Sequence, residues 1–379
     1  MHKNTPFSLF SKAVAAVIFA SILGGCSSSG NKPKPAELGS LLPLISVRQA
    51  WVSPLGASPL PSTLTVKGDH VFVASGNGTV AQINVSTGAD VWRLSLGVPL
   101  SAGMGSDGHL SAVVTQRNDL IAVVGGKEVW RQRLSAAAYT APFVAGQRVF
   151  VLGADRTVSA FDGNTGTRLW SQARTGEPLV LRQSGALLAV GDTLVVGLGG
   201  RMVGFNPNNG NIRWETPLAA PRGANDVERM VDLVGPVSRL GDEVCARAFQ
   251  AAVGCVDAQR GRLKWTQTAD GSQGLHGDDS LLLGTESDGR VVAWQRASGQ
   301  RAWTYAGLLN RNLGSPLVLG RSVAVADGFG YVHLLSREDG TPMARLTTDG
   351  SPILSAPALA GDTLLALTQN GNLFAWRPQ

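Results

Sequence analysis

The sequence predicts an all-β protein, an eight-bladed β-propeller whose blades have four strands each. Three observations predict this fold class. A glycine–tryptophan motif recurs about every 40 residues, turn signals separate apolar β-rich runs within each period, and no long stretch after the first 43 residues has helical periodicity. Four short strands in a period of this length are typical of a propeller blade, in which neighbouring blades cover each other's faces.

Tryptophans mark the repeat. In six units a tryptophan follows a glycine by four residues, as in the stretch DGNTGTRLW that ends at Trp170. The glycine accepts φ > 0 and lets the chain reverse, and the indole is expected to fill the wedge between adjacent blades. A seventh unit keeps the frame as Gly340 and Ala344 without the tryptophan. The predicted blade-docking residues are Trp51, Trp92, Trp130, Trp170, Trp214, Trp265 and Trp303.

The two ends of the repeat region predict how the ring closes. The last unit ends at NLFAWRPQ without a tryptophan-bearing fourth strand, whereas the Trp51 strand LISVRQAWVSP precedes the first complete unit. Because a closed ring leaves no terminal blade uncovered, we expect the N-terminal strand to complete the last blade. Blade eight would then combine residues 352–377 with about 44–54, within a propeller that spans 44–379.

The N-terminus resembles a bacterial lipoprotein signal. Two lysines precede an apolar stretch that is too short for a comfortable membrane span and that ends in LGGC at Cys26. This pattern resembles the lipobox and predicts a signal peptide over 1–25, acylation of Cys26 and a flexible tether over 26–43. Ser27 after the cysteine, rather than Asp, predicts the outer membrane. The alternative interpretation is an ordinary secretory signal with a chance cysteine.

The two other cysteines, Cys245 and Cys255, are ten residues apart around ARAFQAAVG, which is predicted to form a β-hairpin. An export signal would place them in an oxidising compartment, where a disulfide persists. A disulfide between them is therefore predicted, and the alternative is a pair of small buried apolar residues. No histidine or acid cluster accompanies them, which argues against a metal site.

Charge and motif content argue against nucleic-acid binding and against catalysis. The formal net charge is +6, with no basic run and no basic stripe interleaved with aromatic residues. The stretch GMGSDG fits G-x-G-x-x-G, but no helix is predicted after it, and the histidines lack metal-ligand spacing. We therefore expect no catalytic residue, no metal site and no cofactor.

The motif A-x-D-x-x-T-G-x-x-W, present as AFDGNTGTRLW, resembles the tryptophan-docking repeat of the PQQ dehydrogenases. Lipobox, length and repeat number together resemble the BamB family of outer-membrane lipoproteins. This resemblance implies a non-catalytic scaffold of the β-barrel assembly (BAM) complex, lipid-anchored at the periplasmic face of the outer membrane. It also implies binding to the POTRA domains of BamA and assistance to the insertion of outer-membrane proteins, whose unfolded chains are candidate further partners.

The family's partner-binding patterns are matched at two places. Its L-x-L-R pattern is matched by LVLR, at Leu179, Leu181 and Arg182, and a second pattern by RMVDLV, at Arg229 and Asp232. Val234 stands where that second pattern has another acid, so an acidic contribution there is in doubt.

The repeat spacing points to the same region independently. The two longest tryptophan spacings, 44 and 51 residues, span 170–265. Insertions in a rigid repeat scaffold extend loops on one face, often the binding face. Neutral variation in loop length is the alternative interpretation.

Two other function classes are weighed against a scaffold. A PQQ-dependent dehydrogenase would need carboxylate and amide ligands for calcium and often an adjacent cysteine pair, which this chain lacks. Most of its acids recur in Gly-Asp turns, which are structural positions. A periplasmic propeller that binds a ligand in its central channel is the third class.

Overall fold

The computed structural model describes residue 2 and residues 33–57, 64–174, 179–221, 223–226, 229–353 and 355–379. These residues form eight four-stranded antiparallel sheets and contain no helix. Within the same residues, therefore, nothing helical is long and apolar enough to cross a membrane. Cys26 and, apart from residue 2, the predicted signal peptide lie outside the described residues.

Each sheet is one blade, and in blades one to seven the strands follow one another from the channel outwards. The first strands of several neighbouring blades contact one another around the channel. Blades one to four contain β2 (Thr65–Lys67), β3 (His70–Ala74), β4 (Thr79–Asn84) and β5 (Asp90–Ser95); β6 (Gly105–Ser106), β7 (Leu110–Val114), β8 (Asp119–Val124) and β9 (Lys127–Arg133); β10 (Phe143–Ala145), β11 (Arg148–Leu152), β12 (Val158–Asp162) and β13 (Arg168–Gln172); and β14 (Leu187–Val190), β15 (Thr193–Leu198), β16 (Arg201–Phe205) and β17 (Ile212–Pro217).

The second half of the ring repeats this order until the last blade. Blades five to eight contain β18 (Leu233–Leu240), β19 (Glu243–Ala248), β20 (Ala252–Asp257) and β21 (Arg262–Thr268); β22 (His276–Gly277), β23 (Leu281–Thr285), β24 (Val291–Gln295) and β25 (Arg301–Tyr305); β26 (Leu317–Leu319), β27 (Ser322–Ala326), β28 (Tyr331–Ser336) and β29 (Pro342–Thr347); and β30 (Ala358–Ala360), β31 (Thr363–Leu367), β32 (Asn372–Pro378) and β1 (Val47–Pro54).

The N-terminal strand closes the ring. Strand β1 pairs antiparallel with β32, so that Trp51 lies opposite Ala375 and Val47 opposite Pro378. The inner strands of blades one and eight, β2 and β30, contact each other. The predicted fold class, its eight blades and its closure by the chain's own N-terminal strand are therefore confirmed.

Each blade-docking tryptophan packs against the Thr-Gly-type turn of the following blade. A Cβ atom added to the glycine of that turn would lie 2.4–2.9 Å from a tryptophan side-chain atom in all seven pairs. Trp170 beneath Gly210 is representative, since Trp170 is 9% exposed and Gly210 has a φ of +75°. The glycine is thus required both for the left-handed backbone and for the indole beneath it.

Several indole N–H groups also link neighbouring blades. Nε1 of Trp130, for example, donates to the carbonyl oxygen of Gly163 in the next blade, 2.7 Å away. Trp92 instead donates to the side-chain oxygen of Gln82 in its own blade, at 2.6 Å. Among the described residues, Nε1 of Trp214 is buried without a hydrogen-bond acceptor. Shape therefore matters more than this hydrogen bond at the tryptophan position.

The interface between blades seven and eight is filled differently. Ala344 occupies the position where the tryptophan is missing, and Trp376 of blade eight packs into the same apolar cluster. The Trp376 ring stacks on Phe374 with centroids 5.6 Å apart. Ile45 and Val47 pack against this cluster, so the N-terminal segment covers the interface that it also helps to close.

The cysteine hairpin forms in blade five. Cys245 on β19 lies opposite Cys255 on β20, both side chains are buried, and their sulfur atoms are bonded. With Glu243 they make the one group of three potential metal ligands found within the described residues. Because bonded sulfurs offer no thiolate, this group does not have the chemistry of a zinc site.

We expect the disulfide to contribute about 2–4 kcal/mol to the free energy of unfolding, because it restricts the unfolded chain. Urea unfolding of the Cys245→Ala/Cys255→Ala variant should show a loss of this size. Reductant should lower the unfolding midpoint of the natural chain and leave that of the double variant unchanged. A natural chain with the same midpoint in oxidising and reducing buffer would contradict the prediction.

The N-terminal segment reaches the propeller before β1 begins. The N–H of Ala36 donates to the carbonyl oxygen of Leu309, and the N–H of Leu44 to that of Met343, both at 2.8 Å. Leu38 packs against the apolar cluster shared by blades six and seven. Within the predicted tether, 26–43, the chain is therefore attached to the propeller from Ala36 onwards.

Candidate partner-binding site

The inserted connections predicted from the tryptophan spacing lie on one face of the ring. In an antiparallel blade, consecutive connections alternate between the two faces, so the turn between the second and third strands shares a face with the connection to the next blade. Three such elements meet beside blade four. They are the turn 153–157 of blade three and the described parts of the connections 173–186 and 218–232.

A partly buried ion pair holds the segment that carries the L-x-L-R match. Nη1 of Arg156 lies 2.9 Å from Oδ1 of Asp232, and the two side chains are only 12% and 16% exposed. Nη2 of Arg156 donates to the carbonyl oxygen of Leu179 at 2.9 Å, and Oδ2 of Asp232 accepts from the N–H of Leu181 at 3.0 Å. The pair therefore fixes the backbone on both sides of Val180.

The segment presents one apolar and one cationic group on this face. Leu179 is 40% exposed, and the guanidinium of the exposed Arg182 lies 5.3 Å from the centroid of the Tyr139 ring. Leu181 is half-buried and lines a small cavity of about 50 Å³ beneath the segment. Leu179 and Arg182 are thus the side chains best placed to contact another protein, whereas Leu181 also packs inwards.

The segment borders the central channel of the propeller. The channel has a volume of about 750 Å³, and Arg182 and Gln183 contribute to its lining. Nε2 of Gln183 donates to the carbonyl oxygen of Ser272, 2.7 Å away on the connection that follows blade five. This hydrogen bond ties the segment to a connection two blades further round the ring, so the candidate site and the channel mouth are continuous.

Comparison with known proteins places this geometry in a family. The family model for "Outer membrane protein assembly factor BamB" matches residues 46–99 and 76–305. The chain belongs to the BamB family. A relative from Burkholderia pseudomallei with that name is 38% identical over 97% of both chains, and one from Bordetella pertussis is 37% identical over 93% of both.

Solved structures agree on the fold. The crystal structure of BamB from Moraxella catarrhalis matches with a TM-score of 0.80 at 22% identity, over 88% of this chain and all of that one. Quinohemoprotein alcohol dehydrogenase from Comamonas testosteroni matches with a TM-score of 0.67 at 13% identity, over 87% of this chain and 76% of that one. Both matches concern the propeller architecture, which is shared by an assembly factor and an enzyme.

The two residues that match the second BamB-type pattern, Arg229 and Asp232, form separate ion pairs. Arg229 pairs with Asp226 at 2.8 Å, whereas Asp232 turns inwards to Arg156. Val234, where the family pattern has an acid, is 1% exposed and bridges to Gly185 of the first segment. A carboxylate at this buried position would lose its hydration, which valine does not need, so valine suits position 234.

A charged pair close to the channel cross-links blades five and six. Arg247 is fully buried, and its Nη1 and Nη2 lie 3.3 and 3.2 Å from Oε1 of Glu286, which contributes to the channel lining. Burial lowers the pKa of Arg247, and the Glu286 carboxylate opposes that shift. Because the Glu286 carboxylate is paired with the Arg247 guanidinium of the neighbouring blade, the two residues form a structural cross-link between blades.

The sequence predicts five partner-binding residues in this region, and the structure adds two residues that the sequence does not predict. The structure brings Leu179, Leu181, Arg182 and Asp232 together, and it places Arg229 with Asp226 instead. The missed residues are Arg156, which holds the segment, and Tyr139, which lies under Arg182. Arg156 belongs to the hairpin turn between β11 and β12, where the sequence signals only a turn.

Proposed function

We propose that this protein is a non-catalytic scaffold lipoprotein of the BAM complex that docks on the POTRA domains of BamA and assists the insertion of outer-membrane proteins. The observation that carries the proposal is the 38% identity, over 97% of both chains, to a relative named outer membrane protein assembly factor BamB. An enzymatic role draws support only from the shared fold, at 13% identity to a quinohemoprotein dehydrogenase.

The geometry of the loop face supports the docking part of the proposal. Leu179 supplies an apolar anchor and Arg182 a planar cation, and both lie on a segment held by Arg156 and Asp232. Apolar anchors and arginine are common among the residues that dominate interface energies. A segment that is already ordered loses less conformational entropy on binding.

The membrane part of the proposal rests on the sequence. Cys26 in LGGC would be acylated, and the chain after it would tether the propeller at the periplasmic face of the outer membrane. Several acyl chains on one cysteine give firm anchoring, because each buried methylene contributes about 0.8 kcal/mol.

Substitution at the loop face tests the docking. We expect Leu179→Ala and Arg182→Ala each to weaken BamA binding by roughly tenfold or more, the usual loss for an interface anchor. Binding to the isolated POTRA domains and recovery of BamA from detergent extracts measure the effect.

Leu240→Ala is the matched control. Leu240 is 46% exposed, similar to Leu179, but it lies at the turn between β18 and β19 on the opposite face. The control should bind BamA like the natural chain. Unchanged binding by both loop-face variants would reject the site, and a failure of the natural chain to bind BamA would reject the function.

A further inference from the structure

The N-terminal segment 36–44, called the strap below, is fixed along blades six and seven. Its first residue, Ala36, donates to Leu309 and accepts from Nη1 of Arg311, with the oxygen 3.0 Å away. Its last residue, Leu44, donates to Met343 on the outermost strand of blade seven. The strap therefore has a defined course on the rim of the ring.

Arg311 is a rigid anchor for the strap. Its Nε lies 2.7 Å from Oδ2 of the fully buried Asp327, and its guanidinium lies over the rings of Phe329 and Tyr331, 4.7 and 5.6 Å from their centroids. A guanidinium held on several sides in this way has few alternative positions. The point at which the chain joins the propeller is thus fixed at Ala36.

Two leucines of this fixed strap point into solvent. Leu42 is 88% exposed and Leu44 is 71% exposed, and they are the most exposed large apolar side chains among the described residues. Pro43 separates them and restricts the backbone. Single exposed leucines are ordinary, but two on one immobilised segment form a small apolar surface that no other described residue covers.

The length of the preceding chain indicates what lies opposite this surface. Pro35 follows Cys26 by nine residues, and even fully extended this stretch spans only about 32 Å. If Cys26 is acylated, as proposed above, the rim at blade seven is tethered close to the bilayer. From Cys26 to Arg48 the chain has three basic residues, Lys32, Lys34 and Arg48, and one acid, Glu37, which suits a surface of phosphate headgroups.

The same geometry sets the orientation of the ring. Blade seven is four blades away from blade three in an eight-membered ring, so the two lie on opposite sides. The candidate partner-binding segment follows blade three. A membrane contact at blade seven would therefore leave that segment pointing away from the bilayer, accessible to a periplasmic domain.

We propose that Leu42 and Leu44 form a second membrane contact, inserted at the boundary between headgroups and acyl chains of the leaflet that holds the Cys26 anchor. The ligand is the phospholipid bilayer itself. The proposal rests on the proposed anchor at Cys26 but not on BamA binding. The short tether raises the local concentration of lipid at the strap, so two leucines suffice for a contact that would be weak in a free protein.

Site-specific photocrosslinking in cells tests the proposal. A diazirine-bearing aliphatic amino acid replaces Leu42, Leu44 or Leu169 in the full chain, one position at a time. Leu169 is the control, because it is 45% exposed and lies on the outer strand of blade three, across the ring. We expect positions 42 and 44 to yield phospholipid adducts, detected by mass spectrometry, at least tenfold above position 169.

The outcomes separate this proposal from the anchor on which it depends. Equal adduct yields at 42 and 169, or adducts at 42 that are proteins rather than lipids, would overturn the second contact. An alkaline carbonate wash of the same membranes reports the anchor independently. If the wash releases the natural chain, Cys26 holds no acyl anchor, and the proposed second contact is rejected together with the anchor. If the natural chain is retained but positions 42 and 44 give no lipid adducts, the anchor stands and only the second contact is rejected.

Discussion

Replacement of Trp170 with alanine is expected to lower the free energy of unfolding by about 3–5 kcal/mol. The indole is 9% exposed and packs among Phe150 and Phe205 between blades three and four, and its Nε1 donates to the carbonyl oxygen of Pro207 at 2.9 Å. Loss of the indole would leave a cavity in the interface between blades three and four. Only side chains of these two neighbouring blades could fill that cavity. Urea unfolding followed by circular dichroism measures the change.

The adjacent residue offers a matched control. Leu169 precedes Trp170 on β13 and is 45% exposed, so Leu169→Ala removes apolar atoms from the same strand without opening the interface. Its expected effect is within about 0.5 kcal/mol. Similar losses for the two variants would contradict the view that the indole is a blade-to-blade wedge.

A double-mutant cycle with Gly210 sharpens this prediction. A Cβ at Gly210 would lie 2.6 Å from Cε3 of Trp170, at a φ of +75°, so Gly210→Ala alone meets both a clash and backbone strain. Once Trp170 is alanine the clash disappears, and about 1–2 kcal/mol of strain should remain. Additive effects of the two substitutions would show that the glycine is needed for its backbone conformation only.

The architecture could be predicted from sequence because its determinants are local and repeated. A turn glycine and a tryptophan four residues later identify each outer strand, and the unpaired Trp51 strand identifies the closure. The contact between each glycine and the preceding blade's indole joins residues about 40 positions apart, as in Trp170 and Gly210. The spacing of residues within one repeat unit does not by itself predict this contact between a glycine and the indole of another unit.

The candidate site could be predicted only in part, for the same reason. Leu179 and Arg182 stand in a recognisable short pattern on an inserted connection. The family pattern matched by RMVDLV groups Asp232 with Arg229, but the Asp232 carboxylate pairs with Arg156, 76 residues away. An ion pair between two loops is set by the curvature of the ring, which no local pattern describes.

The rigidity of the ring explains why this ion pair matters for binding. Trp170 packs between blades three and four, and this packing holds Arg156 on turn 153–157 within ion-pair distance of Asp232. Arg156 and Asp232 together hold the segment between Leu179 and Leu181. A loop held at both ends by a fixed frame meets its partner in one conformation.

We therefore expect Asp232→Ala and Arg156→Ala each to weaken BamA binding by roughly 10–100-fold, although neither side chain is a main exposed contact. Each change removes one backbone anchor of the segment and breaks the ion pair between two side chains that are only 12% and 16% exposed. Hydrogen exchange at the Leu181 amide should accelerate in the Asp232→Ala variant, because that amide loses its acceptor. Binding to the isolated POTRA domains measures the affinity.

The controls separate positioning from direct contact. Asp119→Ala removes a carboxylate that is 15% exposed and paired with Arg131 and Arg133 on blade two, so it should cost stability without changing BamA affinity. If Arg156 and Asp232 act only by holding the segment, the double variant should lose less affinity than the sum of the two single losses, since either change breaks the ion pair that orients the other side chain toward the segment. Additive losses in the double variant, with unchanged exchange at the Leu181 amide, would instead make Asp232 a direct contact and return it to the surface patch that the sequence pattern predicted.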